Sequence, residues 1–194
     1  MQRPWIPAVV LLLLLVAFRA LGAMFSMQLP NFQPLAALFL CSIVFLRGTK
    51  AWALPVVAWV ISNPLASALQ GYSPFASGGT AIAFFALLAT AGLALPLRKT
   101  PSAPMVIAGG LVAAVFFHIV TNGAVWLADP TYAKTGEGLW QALWSGRPTD
   151  PMPTWVFLRN LAAANVLFTV LFLLARRPWR PALKATSAAL AHTR

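Results

Sequence analysis

The sequence is short of carboxylates, cysteine and histidine, and each shortage removes a class of protein. Only three acidic residues occur in 194, Asp129, Glu137 and Asp150, and all three lie within one stretch of the chain. The apolar segments therefore contain no acid, which leaves no carboxylate pair for general acid and base work inside them. A single cysteine, Cys41, excludes an internal disulfide framework and every cysteine-rich metal or redox motif. Two histidines, His118 and His192, the second three residues from the chain end, are too few for a bis-histidine haem or a histidine-rich metal site. Neither GxxxxGK[ST] nor GxGxxG occurs, so the chain carries no nucleotide-driven engine of its own. No cofactor and no metal are expected. Catalysis is not expected either, because no nucleophile stands beside a base.

What is present in excess is apolar. Hydrophobic residues make up 60% and charged residues 9% of the chain, against roughly 25% charged residues in soluble domains. That composition predicts an integral membrane protein, with the lipid bilayer as its first partner. The net charge of +11 does not imply nucleic acid, because the cations fall in short runs between apolar segments rather than on one basic face. No nucleic-acid partner is expected.

An apolar helix needs about 20 residues to cross a hydrocarbon core. The candidate spans are about 7–24, 35–46, 51–69, 78–96, 105–128 and 155–175, which predicts an all-α bundle of six transmembrane helices in a single domain, 1–175. The opening run, with its basic start, is read as a retained first helix rather than a signal peptide, since Arg19 stands where a cleavage region should be small and neutral. If the spans alternate, Arg3, Arg47, Lys50, Arg98, Lys99 and the basic tail 176–194 all fall on one side. By the positive-inside rule that side is cytoplasmic, with both termini inside. The expected location is a membrane bordering the cytoplasm, crossed several times. The outer connections are then 25–34, 70–77 and 129–154.

The second span is short. About 12 apolar residues rise only about 18 Å, so residues 28–34 must supply the rest of the crossing. That stretch holds Pro30, Asn31, Gln33 and Pro34, and irregular backbone at membrane depth is tolerated only in a protein interior or along a cavity. It is read as the wall of an outward-facing pocket to which Asn31 and Gln33 offer donors and acceptors. The plainer alternative is an interfacial loop with Pro34 at a helix start.

Polar side chains inside spans are costly and mark sites or interhelical contacts. They are Arg19, Asn63, His118, Asn122, Arg159, Asn160 and Asn165. His118, Thr121, Asn122 and Val125 share one helical stripe by their i, i+3, i+4 and i+7 spacing, which either faces a ligand or bonds neighbouring helices. Arg19 and Arg159 either reach outward to headgroups or hold an anionic group. Asn63, ahead of Pro64, adds an amide beside the flexible, uncharged GYSPFASGG, a candidate rim. Candidate substrate-binding residues are thus Asn31, Gln33, His118, Thr121, Asn122, Arg19, Arg159 and Asn63. In 129–154, Leu139, Trp140, Leu143 and Trp144 recur at helical spacing and predict a short amphipathic helix on the outer surface, either a belt anchor or a cap over the pocket. Ala86, Thr90 and Ala94, and Gly109 and Gly110 with Ala113 and Ala114, form seams that suit close helix packing.

NFQPLAALFL resembles the N-F-x-P-x-A-A-L signature of an uncharacterised bacterial six-helix membrane family grouped with transport proteins. FFHIVTNGAVWLADPTYAKTGEGLWQAL resembles its second signature, T-N-x-x-V-W-L followed by Y-x-K-T and G-L, and the likeness continues through FLRNLAAANVLFTVLFL, covering about residues 17–175. In size and span count the family is distantly similar to the S-components of energy-coupling-factor transporters. That resemblance implies outward-facing binding of a vitamin- or cofactor-like solute for uptake, with a coupling subunit and ATPases as partners. The chain departs from the pattern at Asn63 and Asn165, where acids are common, and it has no A-x-x-x-A seam on its first helix. The expectation is a transport protein or its substrate-binding component. The alternative is a non-catalytic accessory subunit of a larger membrane complex, in which the same polar residues join helices.

Overall fold

The computed structural model describes residues 6–69 and 79–176; Arg3, the tail beyond Arg176 and the expected rim GYSPFASGG, save its last glycine, lie outside the described residues. The described residues form seven α-helices and no strand. They are α1 (Ile6–Met24), α2 (Leu35–Phe45), α3 (Lys50–Leu69), α4 (Gly79–Leu93), α5 (Ala103–Ala128), α6 (Gly136–Leu143) and α7 (Thr154–Arg176), with a 3-10 turn at Pro96–Arg98. Among them α1, α3, α5 and α7 are long and apolar enough to cross a membrane by length and composition. The helices α2 and α4 are apolar but shorter.

The short helix α2 occupies the centre. Ten of its eleven residues are buried, and it packs against α1, α3, α4, α5 and α7. A helix that is apolar all round can face either protein or lipid, and here α2 faces protein on every side. The long helices instead divide their faces: α1 buries Leu11, Leu15 and Phe18 and exposes Leu13 and Val16. Such exposed apolar faces suit a hydrocarbon solvent and fit a membrane protein.

Small residues set the helix spacing. A Cβ on Gly110 would stand 2.8 Å from Thr169 Oγ1 of α7, and one on Gly109 would stand 2.7 Å from Leu97 Cδ1 and 3.1 Å from Leu40 Cδ1. Ala86, Thr90, Ala94, Ala113 and Ala114 are all buried, so these seams serve packing within the chain. Thr90 and Thr169 return their hydroxyls to the Leu87 and Asn165 carbonyls of their own helices, at 2.6 and 2.8 Å, and so need no polar neighbour.

Between α1 and α2 the chain turns without helix. Leu29 N–H still bonds Phe25 O at 2.7 Å, but Pro30 and Pro34 bring no N–H, and Asn31 takes a φ of 60°. That left-handed conformation is uncommon outside glycine, and asparagine is among the residues that tolerate it. Phe32 stacks on Phe18 at 5.5 Å, which fastens the turn to α1. The fit is close: a Cβ on Gly22 would lie 2.6 Å from Phe32 O.

Candidate functional site

Two helix α7 carboxamides hold the 30–37 backbone in place. Asn165, fully buried, donates through Nδ2 to Gln33 O at 3.1 Å and accepts through Oδ1 from Ala37 N–H at 2.6 Å. The second bond satisfies one of the N–H groups that the start of α2 leaves without a helical partner. Asn160 donates to Pro30 O at 3.0 Å. A turn built on two prolines would otherwise leave these backbone groups unsatisfied in an apolar interior.

The fixed turn presents its side chains to a cavity of about 300 Å³. Arg19, Gly22 and Ala23 of α1, Asn31, Phe32 and Gln33 of the turn, Asn63 and Ala66 of α3, and Phe157 of α7 line it. A hydrogen-bonded chain runs along the wall. Arg19 Nη1 donates to Gln33 Oε1 at 3.0 Å, Gln33 Nε2 donates to Asn31 Oδ1 at 2.5 Å, and Arg19 Nη2 donates to Ser62 O of α3 at 2.7 Å. The guanidinium is thereby fixed between α1, the turn and α3. The lining, among the described residues, offers one guanidinium, three carboxamides and no carboxylate.

A second cavity of about 630 Å³ adjoins the first, with Asn31 and Phe157 lining both. Its wall is mostly apolar, drawn from Ile82 and Ala83 of α4 and Phe117, Ala124, Val125 and Ala128 of α5, with Thr121, Asn122 and Asp129 as polar members. Thr121 bonds Phe117 O at 2.9 Å within its own helix. Asp129 is already engaged, accepting from Thr131 N–H and Oγ1 at 2.9 and 2.7 Å and from Arg147 Nη1 at 3.1 Å. Those bonds hold its carboxyl below the ordinary range: first the Thr131 hydroxyl, then the Thr131 N–H, with the charges of Arg147 and Lys134 adding to them.

Of the eight candidate residues, Arg19, Asn31, Gln33 and Asn63 line the first cavity, and Asn31, Thr121 and Asn122 line the second. His118 and Arg159 line neither. His118 is buried with Nε2 2.9 Å from Leu143 O at the end of α6, and its Nδ1 lies 3.1 Å from Asn122 Nδ2. An amide donor at Nδ1 assigns the ring proton to Nε2, which donates to Leu143. The imidazole thus ties α6 to α5. Arg159 lies over the Trp155 ring at 5.4 Å and donates to Asn160 Oδ1 at 3.1 Å, so it steadies the amide that holds Pro30. Asn160 and Asn165, amides within an apolar run that the sequence marks as site or interhelical residues, act here by positioning the turn rather than by lining a cavity. The sequence reading passed over Phe157, which carries no polar signal.

Helix α6 begins at Thr135, whose hydroxyl accepts from Gly138 N–H at 3.2 Å, and a Cβ at Gly138 would collide with Ala133 O. Trp140 stacks on Trp144, one turn on, at 5.7 Å, and the Trp155 ring lies tilted against Trp144 at 6.4 Å. Trp140 and Trp144 remain exposed.

Among the described residues the structure is all-helical, with four apolar helices of membrane-crossing length. The chain belongs to a family of unknown function, DUF6580, whose model matches residues 1–183. No curated protein and no solved structure matches it.

Proposed function

We propose that the chain is a six-span protein of the bacterial inner membrane, with both termini cytoplasmic, that binds a small solute for uptake in the Arg19 cavity. The observation that carries this reading is a polar cavity walled by a non-helical turn inside an apolar bundle. A guanidinium and three carboxamides held half-buried around open space are costly within apolar helices, and an ionisable group inside an apolar span supports a functional site. In this reading α2 and the 25–34 turn together make one crossing, and α4 with its flanking residues makes another. The turn and α6 then face outward, because Arg47, Lys50, Arg98 and Lys99 fall at the opposite helix ends. Its role is to bind rather than to catalyse. The family's distant likeness to S-components, in size and span count alone, supports a coupling subunit with ATPases as the partner that would energise release.

One observation favours a second reading, an accessory subunit of a larger complex. An apolar groove of about 340 Å³ runs along Leu40, Leu93, Leu97, Met105, Gly109 and Val112, a shape that suits a partner helix. Native mass spectrometry of the protein purified from its own host separates the two. A retained small molecule supports the solute site; a stoichiometric partner chain without one supports the subunit.

A further inference from the structure

The geometry points to a bipartite site in which the two adjoining cavities take one amphiphilic organic anion, its anionic head beside Arg19 and its apolar body along α4 and α5. This rests on the solute-binding reading above and names the chemical class of that solute.

Three features of the two walls converge on it. The first cavity supplies a guanidinium fixed by Gln33 and Ser62, with Asn63 of α3 in the same wall. A pre-positioned guanidinium with carboxamide donors suits a carboxylate-like head, which accepts charge-assisted hydrogen bonds. The chain's three acids lie at 129, 137 and 150, so none stands within the α1, turn or α3 walls to compete for that head. The second cavity differs in kind: Ile82, Ala83, Phe117, Ala124 and Val125 give it an apolar surface, and the acid on its rim, Asp129, is paired with Arg147. Asn31 and Phe157 belong to both walls, so a molecule passing between them meets polar donors at one end and apolar side chains at the other. Binding sites commonly combine an apolar wall with a few placed polar groups in this way. The left-handed backbone of Asn31 places the residue at that junction, where its side chain already receives Gln33.

The test uses the full-length protein in lipid nanodiscs with radiolabelled hexanoate as probe, empty nanodiscs as background, and the straight-chain acids from acetate to octanoate as competitors. Competition should strengthen about threefold to fourfold per added methylene while the tail fills the second cavity. Hexanamide, and the Arg19→Gln variant, should each lose about tenfold or more through the missing charge-assisted bond. Ala124→Trp, and independently Ala83→Phe, should flatten the series to the level of acetate while acetate binding persists. A flat series in the wild-type protein that still needs Arg19 overturns the bipartite site and leaves the Arg19 cavity as the solute site. A series equally steep in Ala124→Trp and Ala83→Phe, or one indifferent to Arg19→Gln, reflects partition into lipid and overturns the proposal. The absence of saturable hexanoate binding above empty nanodiscs overturns the assigned ligand class, while a small molecule retained in native mass spectrometry would still uphold solute binding.

Discussion

Asn165 of α7 and Gln33 of the α1–α2 turn are joined across 132 residues of sequence by one 3.1 Å hydrogen bond, from a buried carboxamide to a backbone carbonyl. The same carboxamide accepts from Ala37 N–H at 2.6 Å. One side chain therefore ends the turn and starts the central helix. Asn165→Ala leaves the buried Ala37 N–H and the half-buried Gln33 carbonyl without this partner, a loss of about 2 kcal/mol of stability. Asn165→Asp keeps an acceptor for Ala37 but sets its other oxygen against the Gln33 and Leu161 carbonyls, so it should be rescued only at acid pH, where the carboxyl is protonated. Thermal unfolding in detergent, followed by circular dichroism, ranks the three proteins; equal melting temperatures would contradict the capping role.

The approach of α1 to the turn sets a second expectation. Gly22→Ala pushes a Cβ towards Phe32 O, which is backbone and cannot swing away, so overpacking should cost about 1–3 kcal/mol. Gly92 meets nothing within 4 Å, and Gly92→Ala should be neutral or stabilising by about 0.5–1 kcal/mol from helix propensity. Melting temperatures of the two variants should move in opposite directions or diverge clearly.

The loop between α5 and α7 carries a pH dependence of known sign. Asp150 receives Arg147 Nε and Nη2 at 3.1 and 2.9 Å and the Arg147 N–H at 2.7 Å. Those bonds, first from the side chain and then from the backbone, hold its carboxyl below the ordinary range. A group depressed in the folded state stabilises above its unfolded value, about 3.9 for aspartate, and that contribution is lost as the pH falls through the lower folded value. Near-ultraviolet circular dichroism from Trp144 and Trp155 should stay level from neutral pH to about 5 and decline below about 4. In Arg147→Met the decline should begin at higher pH.

Much of this fold was legible because it is local. Apolar run length marks the helices, and the two prolines around Asn31 mark the break, since a missing N–H acts wherever the chain is placed. The i, i+4 spacing of His118 and Asn122 likewise gave their contact. What Leu143 does could not be read that way, because the carbonyl that meets His118 arrives on α6 from 25 residues away. The same holds for Asn160 and Asn165, whose partners lie 128 to 132 residues distant. The central place of α2 could not be read that way either, because α1, Arg19 apart, and α2 are both apolar on every face and such a face suits lipid as well as protein. Arg159 turned to Trp155, its i−4 neighbour, an attraction as local as any other but one that competes with outward reach.

Sidedness follows from the proposed six spans. In a Cys41→Ala background, which removes the one native thiol, Thr149→Cys on the α6–α7 connection should react with a membrane-impermeant maleimide on intact cells. Lys99→Cys, beyond the α4 end, should react only after lysis. The reverse pattern would place the Arg19 cavity on the cytoplasmic side.

The claim that the Arg19 cavity holds a solute is tested most directly by the small molecule released when the purified protein is denatured. Wild-type protein, Arg19→Gln and the exposed α6 variant Glu137→Gln are compared by quantitative mass spectrometry. A solute site predicts close to one molecule per chain from the wild type and Glu137→Gln, and a loss of about tenfold or more from Arg19→Gln. Equal release from Arg19→Gln, or none from the wild type, would contradict it.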